Sequence, residues 1–307
     1  MPNFLVSATQ IGGDLFTGLM MLFHYHFMQN AYMAGTLVAL VSGIMGYFVV
    51  LRHQSFAGHS LANVGFAGAT GAMLFGISPV VGLFLAGILA ALGIQTLNIA
   101  ARERHHSDIA VGAIFTAALA LGFLFLSLSS AEYGANVYTV LFGDVLGISD
   151  ADVSLIAWST LVLAGIMFCI ARPLFFASID PDVAEARGVP VHALSMTYLI
   201  LLALVVAVAV QVVGVLLIFA LLVTPAAIAQ DLTTRPVIAV VVAIILASAF
   251  LWTGLTIGFF TPYPVDFFIT TFAFGTYLAV KGGRILHQRM ARRRLASSAK
   301  THMGGVA

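Results

Sequence analysis

Two polar side chains, His59 and Asn63, lie four residues apart in a stretch made otherwise of small and apolar residues. On an α-helix this spacing places both side chains on one face. Polar groups at membrane depth face a cavity or the interior of a helix bundle, where they can line a solute pathway. The same pair can instead make a hydrogen bond between helices that only holds the packing. The spacing alone favours neither interpretation.

A second distinctive segment runs from Asp180 to Pro190 between two long apolar stretches. Asp180 is a favourable N-cap, and Pro181 suits the first position of a helix. Gly188 can adopt the left-handed conformation that ends a helix, and Pro190 prevents its continuation. The segment therefore predicts a helix of about two turns, which is too short to be stable alone. It is either an ordinary surface helix or a rigid lever that contacts a cytoplasmic partner.

The composition shows what kind of scaffold must position these residues. The chain has 307 residues with 13 Lys+Arg and 12 Asp+Glu, so that 8% are charged, against roughly 25% in an ordinary soluble domain. Apolar residues make up 61% of the chain. A soluble fold of this size cannot hide so much apolar surface. The composition excludes a soluble enzyme, a nucleic-acid-binding protein and a disordered chain, and it predicts that the chain lies in a lipid bilayer.

Charged residues interrupt the chain at intervals that suit membrane spans, each of which needs about 20 apolar residues. The charge-free stretches, together with the region 267–286, predict about nine spans. These stretches are 15–51, 53–101, 109–131, 153–171, 188–230 and 236–265. The predicted fold class is all-α: a polytopic bundle of about eight to nine transmembrane helices. A short re-entrant helix at 137–148 and the cytoplasmic helix at 180–188 complete it.

Basic residues predict the orientation of the bundle. Placing every one of them in the cytoplasm satisfies the positive-inside rule, with the N-terminus outside and the basic tail inside. These residues are Arg52, Arg102, Arg104, Arg172, Arg187, Arg235 and the basic residues of the tail from Lys281 to Lys300. The first residues carry no basic side chain, which predicts that no cleavable signal is present. We expect an extracytoplasmic or interfacial segment at 1–30, a transmembrane domain at 31–287 and a disordered basic tail at 288–307.

Small residues surround the His59 pair along the chain. Gly58, Gly65 and Gly68, with several alanines between them, allow helix backbones to approach closely in lipid. This span is therefore predicted to be packed on several sides. Further along, Gly214 marks an expected break in a long apolar stretch, and Pro225 is expected to kink a span.

Several chemistries lack the residues they need. A P-loop requires Gly-Lys-Ser/Thr, but Lys281 follows Val280 and Lys300 follows Ala299. No ATP site of that kind and no resident cofactor are expected on this chain. The single cysteine, Cys169, lies within an apolar span and is predicted to be a small core residue.

Five segments carry short motifs. They are Val50–Asn63, Asp108–Gly112, Leu141–Leu146 with Phe-Gly-Asp, Asp180–Gly188 with Asp-Pro, and Val213–Ala227 with Val-Gly and Thr-Pro-Ala-Ala. Each motif is weak alone. Their order and spacing over nearly the whole chain make it resemble the membrane-spanning permease of bacterial ABC importers for zinc, manganese or iron.

The resemblance implies a set of partners in the bacterial cytoplasmic (inner) membrane. A homodimer, or two similar permease chains, would bind two cytoplasmic ABC ATPase subunits, which hold the ATP. An extracytoplasmic metal-binding protein would deliver the ion. The short cytoplasmic helix would be the coupling helix that sits in a groove of the ATPase. Its expected contact residues are Asp180, Pro181, Asp182, Ala184, Glu185, Arg187 and Gly188.

One departure from the family pattern concerns the metal. The family's helix carries an aspartate and a histidine, four apart, as the expected ligands; the matching positions here are His59 and Asn63, so no carboxylate is present. Imidazole suits zinc, whereas carboxylate and carbonyl oxygens suit manganese. We therefore expect a transported divalent ion, with zinc favoured and manganese or iron possible. The alternatives are an ABC permease for a metal chelate or other small solute, and an ATP-independent secondary transporter, which ranks lower because the span centres lack carboxylates.

Overall fold

A computed structural model describes residues 24–100, 107–128 and 140–303, with side chains at 99, 100, 107 and beyond 285 left undescribed. Within these residues the chain forms ten long or short α-helices and no strand. The helices are α1 (His26–Leu51), α2 (Ser55–Leu74), α3 (Pro79–Ala100), α4 (Ser107–Leu128), α5 (Asp150–Ile179), α6 (Pro181–Ala186), α7 (Val191–Leu222), α8 (Thr224–Leu232), α9 (Pro236–Phe260) and α10 (Val265–Met303).

In the described residues, six helical stretches are long and apolar enough to cross a membrane, with α7 and α8 counted together as one. The predicted all-helical, multi-pass bundle is confirmed, but hydropathy and length do not establish the predicted eight to nine spans. The helix α2 is not among the six, because its glycines, His59 and Asn63 lower its mean hydropathy. It contacts α3, α4 and α7. Because these neighbours shield it from lipid, it can carry polar and small residues that a lipid-facing helix would not.

The helix α1 is tied to the bundle near both of its ends. Near its start, the Asn30 Nδ2 donates hydrogen bonds to the Ile148 carbonyl at 3.1 Å and to the Asp150 carboxylate at 2.7 Å, where α5 begins. At its other end, the chain turns through Arg52 and through His53, which has a positive φ of 55°. The positive-inside rule predicts that the Arg52 end faces the cytoplasm.

The helix α7 forms the centre of the bundle and contacts α1, α2, α3 and α5. It is broken at Gly214, where φ is 73° and ψ is 169°. At this point its backbone lies directly against that of Gly143, near the start of α5. Beyond α7, in α8, the Gln230 Nε2 donates to the Tyr47 carbonyl at 2.8 Å, near the Arg52 end of α1. The chain therefore reverses direction at Gly214, where the sequence predicts a break.

Pro225 has a different position from the one expected. It lies in the first turn of the separate helix α8, after α7 has ended at Leu222. Its missing amide hydrogen costs nothing at that position, because the first turn of a helix has no carbonyl partners for its amides. Pro225 thus begins a helix and does not kink one.

Small residues bring α2 and α3 into close contact. Gly68 and Gly82 face each other so closely that a Cβ atom on either would meet the carbonyl oxygen of the other. A Cβ at Gly65 would lie 2.9 Å from the Leu83 Cδ2, and one at Gly58 would lie 3.1 Å from the Leu222 Cδ2. Glycine is therefore required at the helix crossing itself, and it permits tight packing at the other two positions.

We expect Gly68→Ala to destabilise the bundle by about 1–3 kcal/mol, the usual cost of adding volume to a filled site. The backbone carbonyl of Gly82 opposes the added methyl group and cannot rotate away as a side chain could. The matched control is Gly275→Ala in α10, where no atom lies within 4 Å of an added Cβ. Thermal unfolding of the purified protein in detergent measures both. Equal melting temperatures for the two variants would contradict the close crossing.

Two expectations from the sequence need correction. The tail predicted to be disordered from 288 onward is helical as far as Met303, because the stretch after Gly283 is rich in Arg, Ala and Leu, which favour helix. Cys169 is exposed on α5, not a core residue, since its side chain lies on the outward face of that helix.

The predicted re-entrant helix at 137–148 is described only from residue 140 onward. In that part three residues, 140–142, are helical, and the chain then turns. Gly143 has a positive φ of 76°, and Asp144 accepts a hydrogen bond from the Gly147 amide at 3.0 Å in a tight turn. These features end the helix, so this part of the chain forms a loop and not half a span.

Candidate functional site

The face of α2 that carries His59 and Asn63 is half buried. The Asn63 Nδ2 donates to the His59 carbonyl oxygen at 2.9 Å and lies 3.4 Å from the imidazole Nε2. The imidazole Nδ1 is buried and has no hydrogen-bond partner in the described part of the chain. The two side chains thus lie together, as their spacing predicts. The hydrogen bonds between them are local to α2, so within the described residues the pair does not join α2 to another helix by a hydrogen bond.

Aromatic rings from three helices surround this imidazole. The ring of Phe115 in α4 has its centroid 6.2 Å from that of His59, and the ring of Phe219 in α7 meets the imidazole edge-on at 5.9 Å. Phe56, one turn earlier in α2, packs against Phe115 at 6.2 Å and is 40% exposed. Aromatic walls lower the local polarity, which strengthens electrostatic contacts made there. Neither Phe115 nor Phe219 belongs to a sequence pattern that could have identified it.

A divalent ion at His59 would find few ligands on one copy of the chain. The pair can offer an imidazole nitrogen and the amide oxygen of Asn63. In residues 24–100, 107–128 and 140–285, no three His, Cys, Asp or Glu side chains converge into a metal site. Metal ions in proteins take four or more ligands. Water, backbone carbonyls or a second chain would have to supply the others, and a neutral pair attracts a dication less than carboxylates would.

A separate cavity lies at the opposite end of the bundle, where α5 begins. It has a volume of about 300 Å³ and is lined in part by Asp144, Asp152 and Gln211. The Asp144 carboxylate accepts from the Gly147 amide at 3.0 Å, and the Asp152 carboxylate accepts from the Ser149 amide at 3.1 Å. Both carboxylates thus have local roles in a turn and a helix cap. The fold brings the Phe-Gly-Asp segment and the break in α7 together at this cavity, although they are distant in sequence.

The helix α6 is the short capped helix that the sequence predicts. The Asp180 carboxylate accepts from the Val183 amide at 3.0 Å, and Pro181 occupies the first turn. Ala184 is fully buried and holds α6 against the bundle. The side chain of Val183 is 43% exposed, and Gly188 ends the segment with a φ of 83°. The charged residues expected to contact a partner, Asp182, Glu185 and Arg187, are exposed.

Comparison with known proteins places these features in a wider context. A sequence model of the ABC 3 transport family matches residues 24–281. The chain is 34% identical over 246 residues to the manganese transport system membrane protein MntC of Listeria monocytogenes, covering 79% of this chain and 84% of MntC. It is 32% identical over 207 residues to the manganese import system permease protein ScaB of Streptococcus parasanguinis, covering 66% of this chain and 71% of ScaB.

A solved structure has a similar fold. The structure of PsaBC from Streptococcus pneumoniae in complex with Fab includes a chain that superposes with a TM-score of 0.77 and 26% sequence identity. The match covers 87% of this chain and 95% of that chain. The family match runs from before α1 into α10, so it includes both the His59 pair and α6.

Proposed function

The chain belongs to the ABC 3 transport family, and on this basis we propose that it transports manganese along a path lined by α2. Movement of α6 would drive this transport. At a coarser level the relatives establish that it is a permease of a metal-ion ABC importer and a multi-pass protein of the inner membrane. The proposal adds the identity of the transported ion, the residues that contact it, and the partner proteins that deliver the ion and supply the energy for its transport.

Manganese is favoured as cargo because MntC and ScaB are both named for manganese. The expectation of zinc rested on an imidazole at position 59 in place of a carboxylate, and these relatives do not support it. Imidazole binds several divalent ions, and amide oxygen and water are ligands that manganese accepts. A cargo ion needs only brief contacts on its way through, so a partial and neutral ligand set favours passage over retention.

The observation that carries the proposal is the His59–Asn63 pair on the half-buried face of α2. The Nδ1 of the imidazole has no hydrogen-bond partner in the described residues, and the pair makes no hydrogen bond to a neighbouring helix. A pair that served only to hold helices together would be expected to make such a bond. A second permease chain facing this surface would supply a second imidazole and a second amide, which would double the ligand set.

The helix α6 is proposed to be the coupling helix, which receives force from a cytoplasmic ATPase. It is a short, capped helix held between two long ones, and Val183, Glu185 and Arg187 point outward from it. ATP would bind and be hydrolysed on the ATPase chain. An extracytoplasmic binding protein would deliver the ion at the other end of the bundle. Movement of α6 would rock α5 and α7, with Gly214 and the α7–α8 junction near Pro225 as flexible points.

The proposed function is tested by measuring cellular metals with elemental mass spectrometry in the native host grown with scarce metal. We expect deletion of the gene to lower cellular manganese, and re-expression of the intact chain to restore it. A fall in zinc alone would replace manganese by zinc as the cargo. Unchanged metals in a strain that lacks other importers would contradict metal transport altogether.

A further inference from the structure

Arg52 joins three helices at the end of the bundle where α6 lies. Its Nη1 donates to the Ser178 Oγ at 3.3 Å, and its Nη2 donates to the Ser195 Oγ at 2.9 Å. Its guanidinium carbon lies 4.9 Å from the centre of the Tyr198 ring. Ser178 is in the last turn of α5, whereas Ser195 and Tyr198 are in the first turns of α7. One side chain thus holds both arms of the α5–α6–α7 hairpin.

These contacts suit a rigid connection. The Ser178 hydroxyl donates to the Leu174 carbonyl, so its oxygen is oriented to accept from Arg52. Tyr198 is fully buried and packed, which fixes the ring against which the guanidinium stacks. Hydrogen bonds from a charged donor are stronger than neutral ones. The planar guanidinium can stack and donate in two directions at once, which a lysine cannot do.

Arg52 is also close in sequence to the candidate site on α2. Arg52 follows the last residue of α1, and only His53 and Gln54 separate it from the first residue of α2. His53 has a φ of 55°, a left-handed conformation that a residue other than glycine keeps only where its surroundings hold it in place. The turn is therefore tight, and it leaves little slack between Arg52 and the start of α2. His59 lies little more than one turn along that helix.

We propose that Arg52 is a positioning residue that ties the α5–α6–α7 hairpin to α2, so that movement of α6 displaces the helix that carries His59. Its contacts to Ser178, Ser195 and Tyr198 form the tie. The inference rests on the proposed function, because it requires α6 to be the coupling helix. It assigns a transmitting role to a residue that contacts neither the ATPase nor the ion.

The test uses the full transporter, with its own ATPase and binding protein, reconstituted in lipid vesicles with Mn²⁺ as the transported ion. The readout is the number of ions transported per ATP hydrolysed, measured together with the amount of ATPase bound to the permease. We expect Arg52→Gln to keep ATPase binding and ATP hydrolysis but to lower the ratio by about tenfold, as for the loss of coupling between two sites. The control is Thr197→Ala, since Thr197 is exposed and its hydroxyl donates to the Ala193 carbonyl within α7.

A second set of variants does not depend on Arg52→Gln folding well. We expect Tyr198→Leu to lower the ratio and Tyr198→Phe to retain more of it, because only the latter keeps a ring under the guanidinium. Ser195→Ala should lower the ratio in the native background. It should have no further effect when Arg52 is already glutamine, because contacting residues in one network do not act additively.

Two outcomes would overturn the proposal. One is a parallel fall of transport and ATP hydrolysis with an unchanged ratio, which would make Arg52 a stabilising residue only. The other is a Ser195→Ala effect that persists in full in the Arg52→Gln background. A native chain that binds no ATPase would instead contradict the proposed function, so that the two failures can be told apart.

Discussion

Substituting His59 by alanine is expected to abolish most manganese uptake while leaving the protein folded in the membrane. The imidazole is the strongest ligand on the proposed path, and its loss leaves only the amide of Asn63. We expect the initial rate of uptake to fall by roughly 10- to 100-fold or more. Removing a group that only supports a metal ligand already has an effect of that size, and here the ligand itself is removed. Uptake of radioactive manganese by cells expressing equal amounts of each variant measures the effect.

Two companion variants make the His59 result specific. Ser60 is the next residue in α2 and is buried on another side of the helix, and its hydroxyl has no hydrogen-bond partner in the described residues. Ser60→Ala therefore removes no hydrogen bond seen in the described residues, and uptake should not change. Asn63→Ala should lower uptake less than His59→Ala, because the amide oxygen is the weaker ligand. If the well-expressed His59→Ala chain took up manganese at the native rate, the pair would not line the path.

The second large effect is expected at α6. Val183 is an apolar side chain, 43% exposed, near the centre of a helix whose exposed residues also include the charged Asp182 and Glu185. Apolar residues at the centre of an interface contribute most of its binding energy. We expect Val183→Glu to weaken ATPase association by about 2 kcal/mol, or about thirtyfold in Kd. Co-purification of the ATPase with the tagged chain, followed by titration, measures this loss.

The control at α6 must separate contact from helix formation. Asp180→Asn keeps the N-cap, because asparagine caps a helix about as well as aspartate. This variant should lose much less ATPase association than Val183→Glu does, because it keeps the cap and removes only one charge. Arg187→Glu reverses an exposed charge without touching the cap, and it should weaken association by a smaller factor than Val183→Glu. Native association of the Val183→Glu chain would show that α6 is not seated in the ATPase.

Local features of the fold could be predicted from the sequence because their causes are local. The caps Asp180 and Pro181 and the terminator Gly188 lie within one short segment, and α6 has the expected bounds. Gly214 stands out in a long apolar stretch, and the chain reverses there. The spacing of His59 and Asn63 places them on one face of α2 whatever surrounds that helix. Each of these predictions needs only neighbouring residues.

Features set by distant contacts could not be predicted in this way. Phe115 and Phe219 reach His59 only because α4 and α7 pack against α2. The contacts of Arg52 with Ser195 span more than a hundred residues of sequence. Cys169 lies in an apolar span, and composition alone does not show which face of such a helix meets lipid. Only the packing of the whole bundle decides these features.

The contact between Gly143 and Gly214 limits how this protein can change over generations. Both residues have a positive φ, and a Cβ on either would lie against the backbone of the other segment. Compensation usually works by making a neighbour smaller, but here the neighbour is already the smallest residue. If one of the two glycines is replaced, no substitution of the other glycine can make room for the new side chain. The pair therefore cannot be replaced one residue at a time. Random mutagenesis with selection for uptake should recover functional variants with another residue at Gly275, but none with another residue at Gly143 or Gly214.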